Sequence, residues 1–473
     1  MPIIIVLVAL AAAGWLGFMA AAGAQYTLIV LAGTLMVALF AFFSPKLSLA
    51  LLVFSMLLSP EIGGGVVDAS RSIVVRYDDI LLVIIFLSWF AKTAMFKDKP
   101  FLTSTPVQTP ILLYTAICVV STAFGVLRGD VRPEASFFYV LKYVEYFLLY
   151  FMTVNIVESE AEVKKYLRYG LIVAVLVTFY AYYYYYDLGA GSDARATAPF
   201  EVPLGGKMSE SEPASLGGYY LIVFGLLMAM VTEATGYPFL VAAGMLIFMF
   251  PAFLITFSRS SYIGFTAMVP ALFFLTKKRR LFMLGFVTAG ILTLAFIPGI
   301  SQKVVSRIKM TYQGAYATQI FQTGVGGNIK LEDSAASRIY SLKRVFLEKL
   351  PKHPIFGWGV TGVGLCDTQY ALVPGETGIL GLALFIWMLF RLFYTAKTVF
   401  RSYNEPYIRA LSLGFMVSLI GLLFQSFGVN SFVIVRIMEP FWFLTAVIMK
   451  LYLLKSEQRV PAAPVIDASA KRP

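Results

Sequence analysis

Long apolar runs separated by short polar connections dominate the chain. A bilayer core of about 30 Å requires about 20 apolar residues per helix, and about fourteen segments approach that length. The shortest run, 46–60, could be re-entrant, and 237–276 is hard to divide, so about twelve spans would also fit. The predicted spans are 3–21, 26–43, 46–60, 79–96, 109–127, 136–157, 166–187, 216–233, 237–256, 259–276, 281–298, 376–396, 407–428 and 437–454.

This pattern predicts an all-α fold, a polytopic membrane bundle of about 12–14 transmembrane helices, because unpaired strand edges are too costly in hydrocarbon. We divide the chain into an N-terminal transmembrane bundle, a large helical loop, C-terminal transmembrane helices and a disordered Pro/Ala-rich tail. These parts span 1–298, 299–375, 376–454 and 455–473. The first apolar run has no basic region before it, so we interpret it as a retained span and not as a cleaved signal peptide.

Lysine clusters lie mainly in every second connection between the predicted spans. If the N-terminus is cytoplasmic, the short inner connections hold most lysine clusters, including the run KKRR at 277–280. This distribution obeys the positive-inside rule, from which a long basic loop such as 299–375 is largely exempt. The outer connections hold arginines beside acids and glycines. A functional site is therefore predicted on the outer face.

Composition supports a membrane protein and weakens one alternative. The chain has 59% hydrophobic and 14% charged residues, with a mean hydropathy of +0.79. The net charge of +12 does not indicate nucleic-acid binding, because its cations lie in short clusters between apolar runs. Cys118 and Cys366 are far apart, so neither a metal site nor a disulfide framework is implied.

The outer loop contains a predicted amphipathic helix from Ser337 to Leu350, followed by a glycine-rich turn. Ser334 or Ser337 could cap the helix, and Pro351 would end it. Arg338, in the first turn, is either a solvated or headgroup-contacting side chain or a clamp for an anion such as phosphate. The apolar residues at helical spacing are Ile339, Leu342, Val345, Phe346 and Leu350.

Two residues near the turn "HPIFGWGVTGVG" could transfer a proton. His353 is the only histidine, but its position before a proline favours a role in the turn. Asp367 follows the glycines and could accept a proton from an attacking hydroxyl, or could simply be a turn aspartate. The turn itself is not a Walker loop, since no Gly-Lys-Ser/Thr follows it.

Arg259 is the other prominent cation, in the otherwise apolar segment "FLITFSRSSYIGF". Such an arginine usually faces a cavity, although at a break between spans it could reach the outer headgroups instead. Arg195, Arg76 and Arg132 are on outer connections and are expected to be more peripheral. The tyrosine run at 179–187 is typical of an aromatic belt, and such rings also stack on sugars.

Three segments together resemble the O-antigen ligase/polymerase superfamily of bacterial inner membranes. They are "SRSSYIGF", "SRIYSLKRVFLEKLPKHPIFGWGVTGVG" and "DTQYALVPGETGILGLALF". A fourth, "RATAPFE…SEPASLGGYY", is more weakly similar to a family motif. Each motif alone is degenerate, but their order and spacing are fairly specific.

The resemblance implies a GT-C-like glycosyltransferase that acts on undecaprenyl-diphosphate-linked glycans at the periplasmic face, without a metal, cofactor or nucleotide sugar. A polysaccharide chain-length regulator is an implied partner, besides membrane lipid. Arg259 and Arg338 match family arginines that engage the lipid diphosphate, and Arg195 would assist them. Asp367 would act on the acceptor hydroxyl. Tyr370 and Glu376 match family positions expected to contact substrate.

One departure from the family pattern favours a polymerase over a ligase. Asp367 stands where ligases of the superfamily typically have a histidine, and Thr368 replaces the usual asparagine. The prediction is therefore a Wzy-type polymerase of O-antigen or exopolysaccharide, with a ligase as the nearest alternative. A transporter or flippase would predict internal repeats and charges at mid-membrane depth, and the sequence shows no convincing repeat.

Overall fold

Helices form almost all of the regular structure. The computed structural model describes residues 35–60, 66–68, 71–72, 76–96, 103–188, 195–200, 213–280, 285, 288, 298–311, 319–322, 328–364 and 366–458. Within these residues, nine helices are long and apolar enough to cross a membrane. The predicted all-α polytopic bundle is therefore confirmed.

The principal helices are numbered in chain order. They are α1 (Pro45–Leu58), α2 (Tyr77–Phe96), α3 (Gln108–Arg128), α4 (Pro133–Ile156), α5 (Glu160–Tyr183), α6 (Pro213–Glu233), α7 (Tyr237–Leu254), α8 (Arg259–Leu275), α9 (Pro298–Met310), α10 (Asp333–Lys343), α11 (Gln369–Ser402), α12 (Pro406–Gln425) and α13 (Val435–Glu457). One π-helical turn, Tyr184–Leu188, follows α5 and another, Arg344–Lys349, follows α10. Strands β1 (Val66–Asp68) and β2 (Arg71–Ser72) form one antiparallel hairpin, and β3 (Gln319–Gln322) and β4 (Asn328–Leu331) form a second.

The helices divide most of the apolar runs as expected. The ambiguous run 237–276 splits between Leu254, which ends α7, and Arg259, which begins α8. Run 46–60 forms α1, a helix of 14 residues that is too short to span a membrane alone. Predicted spans 3–21 and 281–298 lie almost wholly outside the described residues, and only residues 35–43 of the span 26–43 are described, as helix.

The amphipathic helix of the loop begins earlier than predicted. It starts at Asp333 and continues through the π-helical turn to Lys349. The proposed serine cap is wrong, because Glu332 occupies the N-cap position and makes no side-chain capping bond. The helix follows β4 after a single residue, so the hairpin fixes its start.

The centre of the bundle is the closely packed pair α6 and α12. A Cβ atom on Gly225 would lie 2.1 Å from Ser418 Oγ, and one on Gly414 would lie 2.7 Å from Leu226 Cα. Small residues allow two membrane helices to approach this closely. On the other side of α6, the rings of Phe224 and Phe253 meet edge to face at 5.3 Å. Helices α6 and α12 therefore form a rigid frame that supports α8 and the large helical loop.

The glycine-rich turn packs backbone to backbone against a kink in α11. Gly378 has φ of +70° within this helix, and a Cβ atom there would lie 2.1 Å from the carbonyl oxygen of Ile355. Gly357 has φ of +70° and would bring a Cβ atom to 2.6 Å from Glu376 O. Only glycine tolerates both the dihedral angle and the contact. The turn therefore has a structural role, because its backbone docks on α11.

Candidate active site

The start of α8 presents Arg259 towards the loop. The Ser258 side chain caps this helix by accepting a hydrogen bond from the backbone N–H of Ser261 at 3.4 Å. Arg259 is half-buried, and its Nη1 donates to Thr311 Oγ1 at 2.5 Å and to the carboxylate of Glu332. Arg259 is therefore directed at the loop and not at the lipid headgroups.

Arg338, on α10, reaches the same region. Its Nε donates to the carbonyl oxygen of Gly428 at 3.0 Å. A Cβ atom on Gly428 would lie 2.9 Å from Ser260 Cβ and 3.5 Å from Arg338 Cζ. This glycine thus allows three segments to meet: the start of α8, the helix α10 and the connection between α12 and α13.

The guanidinium of Arg338 retains hydrogen-bonding capacity. Within the described part of the chain, neither Nη nitrogen donates a hydrogen bond. Burial lowers the pKa of Arg338, and the charge of Arg259 lowers it further, while Asp367 and Glu332 act in the opposite direction. An arginine nevertheless stays protonated at physiological pH. A bound anion would relieve the cost of holding these two cations together.

Asp367 lies beside this pair of arginines. Its Oδ2 accepts a hydrogen bond from Ser337 Oγ at 2.5 Å, and Ser337 immediately precedes Arg338 on α10. No described residue donates to Oδ1, so one carboxylate oxygen remains available to a substrate hydroxyl. The structure therefore brings together the three residues predicted to be catalytic: Arg259, Arg338 and Asp367.

The three residues predicted to bind substrate, Arg195, Tyr370 and Glu376, lie in different surroundings. Arg195 is half-buried next to Ala196, whose N–H donates to Ile255 O near the start of α8. Tyr370 is half-buried, and its hydroxyl donates to Leu423 O at 2.7 Å. The Glu376 side chain is only 3% exposed and accepts a hydrogen bond from the Thr361 N–H at 2.8 Å. The contacts of Glu376 hold the glycine-rich turn.

His353 lies within the turn, as favoured by the sequence. Its backbone oxygen accepts a hydrogen bond from Gly357 N at 3.0 Å. Its ring meets that of Trp358 edge to face at 4.6 Å. The Trp358 indole N–H in turn donates to Lys349 O at 2.8 Å. These contacts close the turn and give the imidazole a packing role.

Sequence reasoning missed three polar contributors to this site: Glu332, Ser337 and Thr311. Glu332 binds Arg259, and its backbone N–H donates to Thr311 O at 3.1 Å. Ser337 was considered only as a helix cap. Its place one residue before Arg338 is the signal that could have identified it, since both side chains project from one turn of α10.

A second polar network, around Arg76, lies within the bundle. Arg76 was expected on a peripheral connection, yet it is only 3% exposed. Oxygens of Asp78, Asp79 and Glu439 lie within 4.8 Å of one another, a spacing that could suit a cation. Arg76 Nη2 already lies among them, 2.7 Å from Asp78 Oδ2 and 2.9 Å from Glu439 Oε1. The sequence signal for this network was the presence of acidic residues near the start of two membrane spans.

Arg76→Ala should destabilise the protein strongly. Removing one partner of a buried ion pair leaves uncompensated charge and typically costs about 3–5 kcal/mol. Thermal unfolding in detergent micelles should show a markedly lower midpoint, whereas Arg401→Ala, which removes an exposed arginine, should unfold like the wild type. Equal midpoints for Arg76→Ala and the wild type would show that the network does not support the fold.

Comparison with known proteins agrees with the resemblance seen in the sequence. Residues 244–386 match the family model Wzy_C, described as O-antigen ligase. The matched range runs from α7 into α11 and contains Arg259, Arg338 and Asp367. No curated protein matches the chain.

Proposed function

We propose that the chain is a membrane glycosyltransferase of the O-antigen ligase/polymerase superfamily, whose family model matches residues 244–386, and that it polymerizes lipid-linked repeat units. The donor would be a glycan on undecaprenyl diphosphate, and the product would be O-antigen or exopolysaccharide. The site would face the periplasm from the bacterial inner membrane. The distribution of lysine clusters supports this orientation.

The observation that carries the proposal is the pairing of two arginines with one carboxylate. Arg338 has no described acceptor for its Nη groups, and Arg259 lies close enough to lower the pKa of Arg338. Guanidinium groups bind phosphate through paired hydrogen bonds. Asp367 stands beside them with one oxygen that no described residue engages. Such an arrangement could stabilise a diphosphate leaving group and accept the proton of an attacking hydroxyl.

The reaction follows from these roles. The acceptor hydroxyl attacks the anomeric carbon of the donor glycan, and the bond from that carbon to the diphosphate oxygen breaks. Undecaprenyl diphosphate leaves with both bonding electrons, and Arg259 and Arg338 stabilise the charge that develops on it. The hydroxyl proton passes to Asp367. The new glycosidic bond joins the transferred glycan to the lipid-linked acceptor unit.

Asp367 favours a polymerase over a ligase, the nearest alternative. Ligases of this superfamily typically carry a histidine at this position, whereas an aspartate is familiar in polymerases. A ligase would move a finished glycan to lipid A-core or another acceptor. The two activities would use the same diphosphate site and differ in the acceptor. A transporter is disfavoured, because the sequence shows no convincing internal repeat.

Deletion of the gene and analysis of the glycans separates these functions. Loss of a polymerase should leave only single capped repeat units, and the wild-type gene should restore long chains. Long chains that accumulate on undecaprenyl diphosphate without reaching their acceptor would instead identify a ligase.

A further inference from the structure

The Arg259 guanidinium is already bound to an anionic group of the protein. Its Nη1 contacts the carboxylate of Glu332, and both side chains are about one-fifth exposed, at 21% and 22%. The Glu332 backbone is fixed, because its N–H donates to Thr311 O and its carbonyl accepts from Ala336 N at 2.9 Å. Only the side chain of Glu332 needs to rotate to release Arg259.

Four charged residues of the described chain interact here, and their formal charges balance. Arg259 and Arg338 supply two positive charges, and Glu332 and Asp367 supply two negative charges. A diphosphate entering the site therefore meets no net positive charge while both carboxylates remain. Asp367 accepts a hydrogen bond from Ser337 and, in the proposed reaction, would contact the acceptor hydroxyl and not the diphosphate. Glu332 is the carboxylate in direct contact with a cation that the diphosphate needs.

We propose that Glu332 competes internally with the diphosphate for Arg259: its carboxylate pairs with Arg259 before the donor binds and is displaced by the donor. The inference rests on the proposed function. Displacing Glu332 costs one ion pair, so a ligand must gain contacts to both arginines in order to bind well. A diphosphate can bridge Arg259 and Arg338, whereas a single phosphate gains less. Glu332 would thereby select diphosphate-linked donors over phosphate and other small anions.

Glu332→Gln tests this role, since it removes the charge and nearly preserves the shape. In protein reconstituted in nanodiscs, undecaprenyl diphosphate should bind Glu332→Gln about 2- to 5-fold more tightly than wild type, the range expected for loss of a partly exposed ion pair. Inorganic phosphate should compete more effectively with the lipid in this variant. Glu332→Asp, which shortens the side chain, should change both properties less and in the same direction.

Glu348→Gln is the matched control. Glu348 is exposed on the π-helical turn after α10, so this variant makes the same substitution at an exposed carboxylate of the same loop. It should bind undecaprenyl diphosphate with the affinity of the wild type. Weaker or unchanged binding in Glu332→Gln, with wild-type binding intact, would overturn the proposal and assign Glu332 to positioning Arg259. If folded wild type and Glu332→Gln both failed to bind the lipid, the proposed function would fall as well.

Discussion

Arg338→Ala should reduce kcat/KM for glycan polymerization by about 10²–10³-fold, the loss typical of removing one donor that stabilises developing negative charge. The Arg338 guanidinium donates from Nε to Gly428 O, and neither Nη nitrogen has an acceptor among the described residues. Since these groups are free to bind an anion, their removal should affect the reaction more than the fold. Polymerization of a lipid-linked repeat unit by the purified variant measures the effect.

Two further variants separate charge from geometry. Arg338→Lys retains the positive charge, but an ammonium group cannot bind a diphosphate in the paired manner of a guanidinium, so activity should recover only in part. Lys352→Ala removes an exposed cation from the segment just after this helix and should retain full activity. Wild-type activity in correctly inserted Arg338→Ala would contradict the proposed diphosphate site.

Asp367→Asn should lower kcat by about 10²–10⁴-fold, the usual contribution of a general base. The amide keeps the shape of the side chain and can still contact Ser337, but it cannot accept the hydroxyl proton. Binding of undecaprenyl diphosphate should remain within a few-fold of the wild type, because Asp367 opposes rather than assists an incoming anion. Comparing kcat with lipid affinity therefore distinguishes proton transfer from donor binding.

The control for this substitution is Asp130→Asn. Asp130 accepts a hydrogen bond from Arg128 Nε at 2.6 Å, and Arg128 also contacts the glycine-rich turn through Gly357 O. The variant removes a carboxylate near this turn but not from the site, so kcat should be nearly unchanged. If Asp367→Asn weakened lipid binding and left kcat intact, Asp367 would not be the base.

The bundle and the core of the site could be predicted from the sequence because the responsible signals are local. Apolar runs of membrane-spanning length predicted the described helices, such as α6 and α12. Arg259 stood out in an apolar segment, and Arg338 and Asp367 flanked a helix and a turn with recognisable patterns. The resemblance to a family then indicated that these separate residues act together.

The remaining features depend on tertiary contacts that no local pattern reveals. Glu332 lies in a polar stretch of the sequence. It contacts Arg259 only because the fold brings the start of α8 and Thr311, just after α9, next to it. Gly378 lies in an apolar helix, where its kink becomes necessary only because the turn at Ile355 packs against it. Arg76 resembled a surface residue until α13 supplied Glu439 as its partner.

The most direct test of the central claim is polymerization by the purified protein in liposomes, supplied only with a lipid-diphosphate-linked repeat unit. The account predicts a ladder of lipid-linked oligomers in the wild type without a nucleotide sugar. It also predicts that the ladder is lost in the double variant Arg259→Ala/Arg338→Ala. A ladder of equal length in the double variant, or single units alone in a correctly folded wild-type preparation, would contradict it.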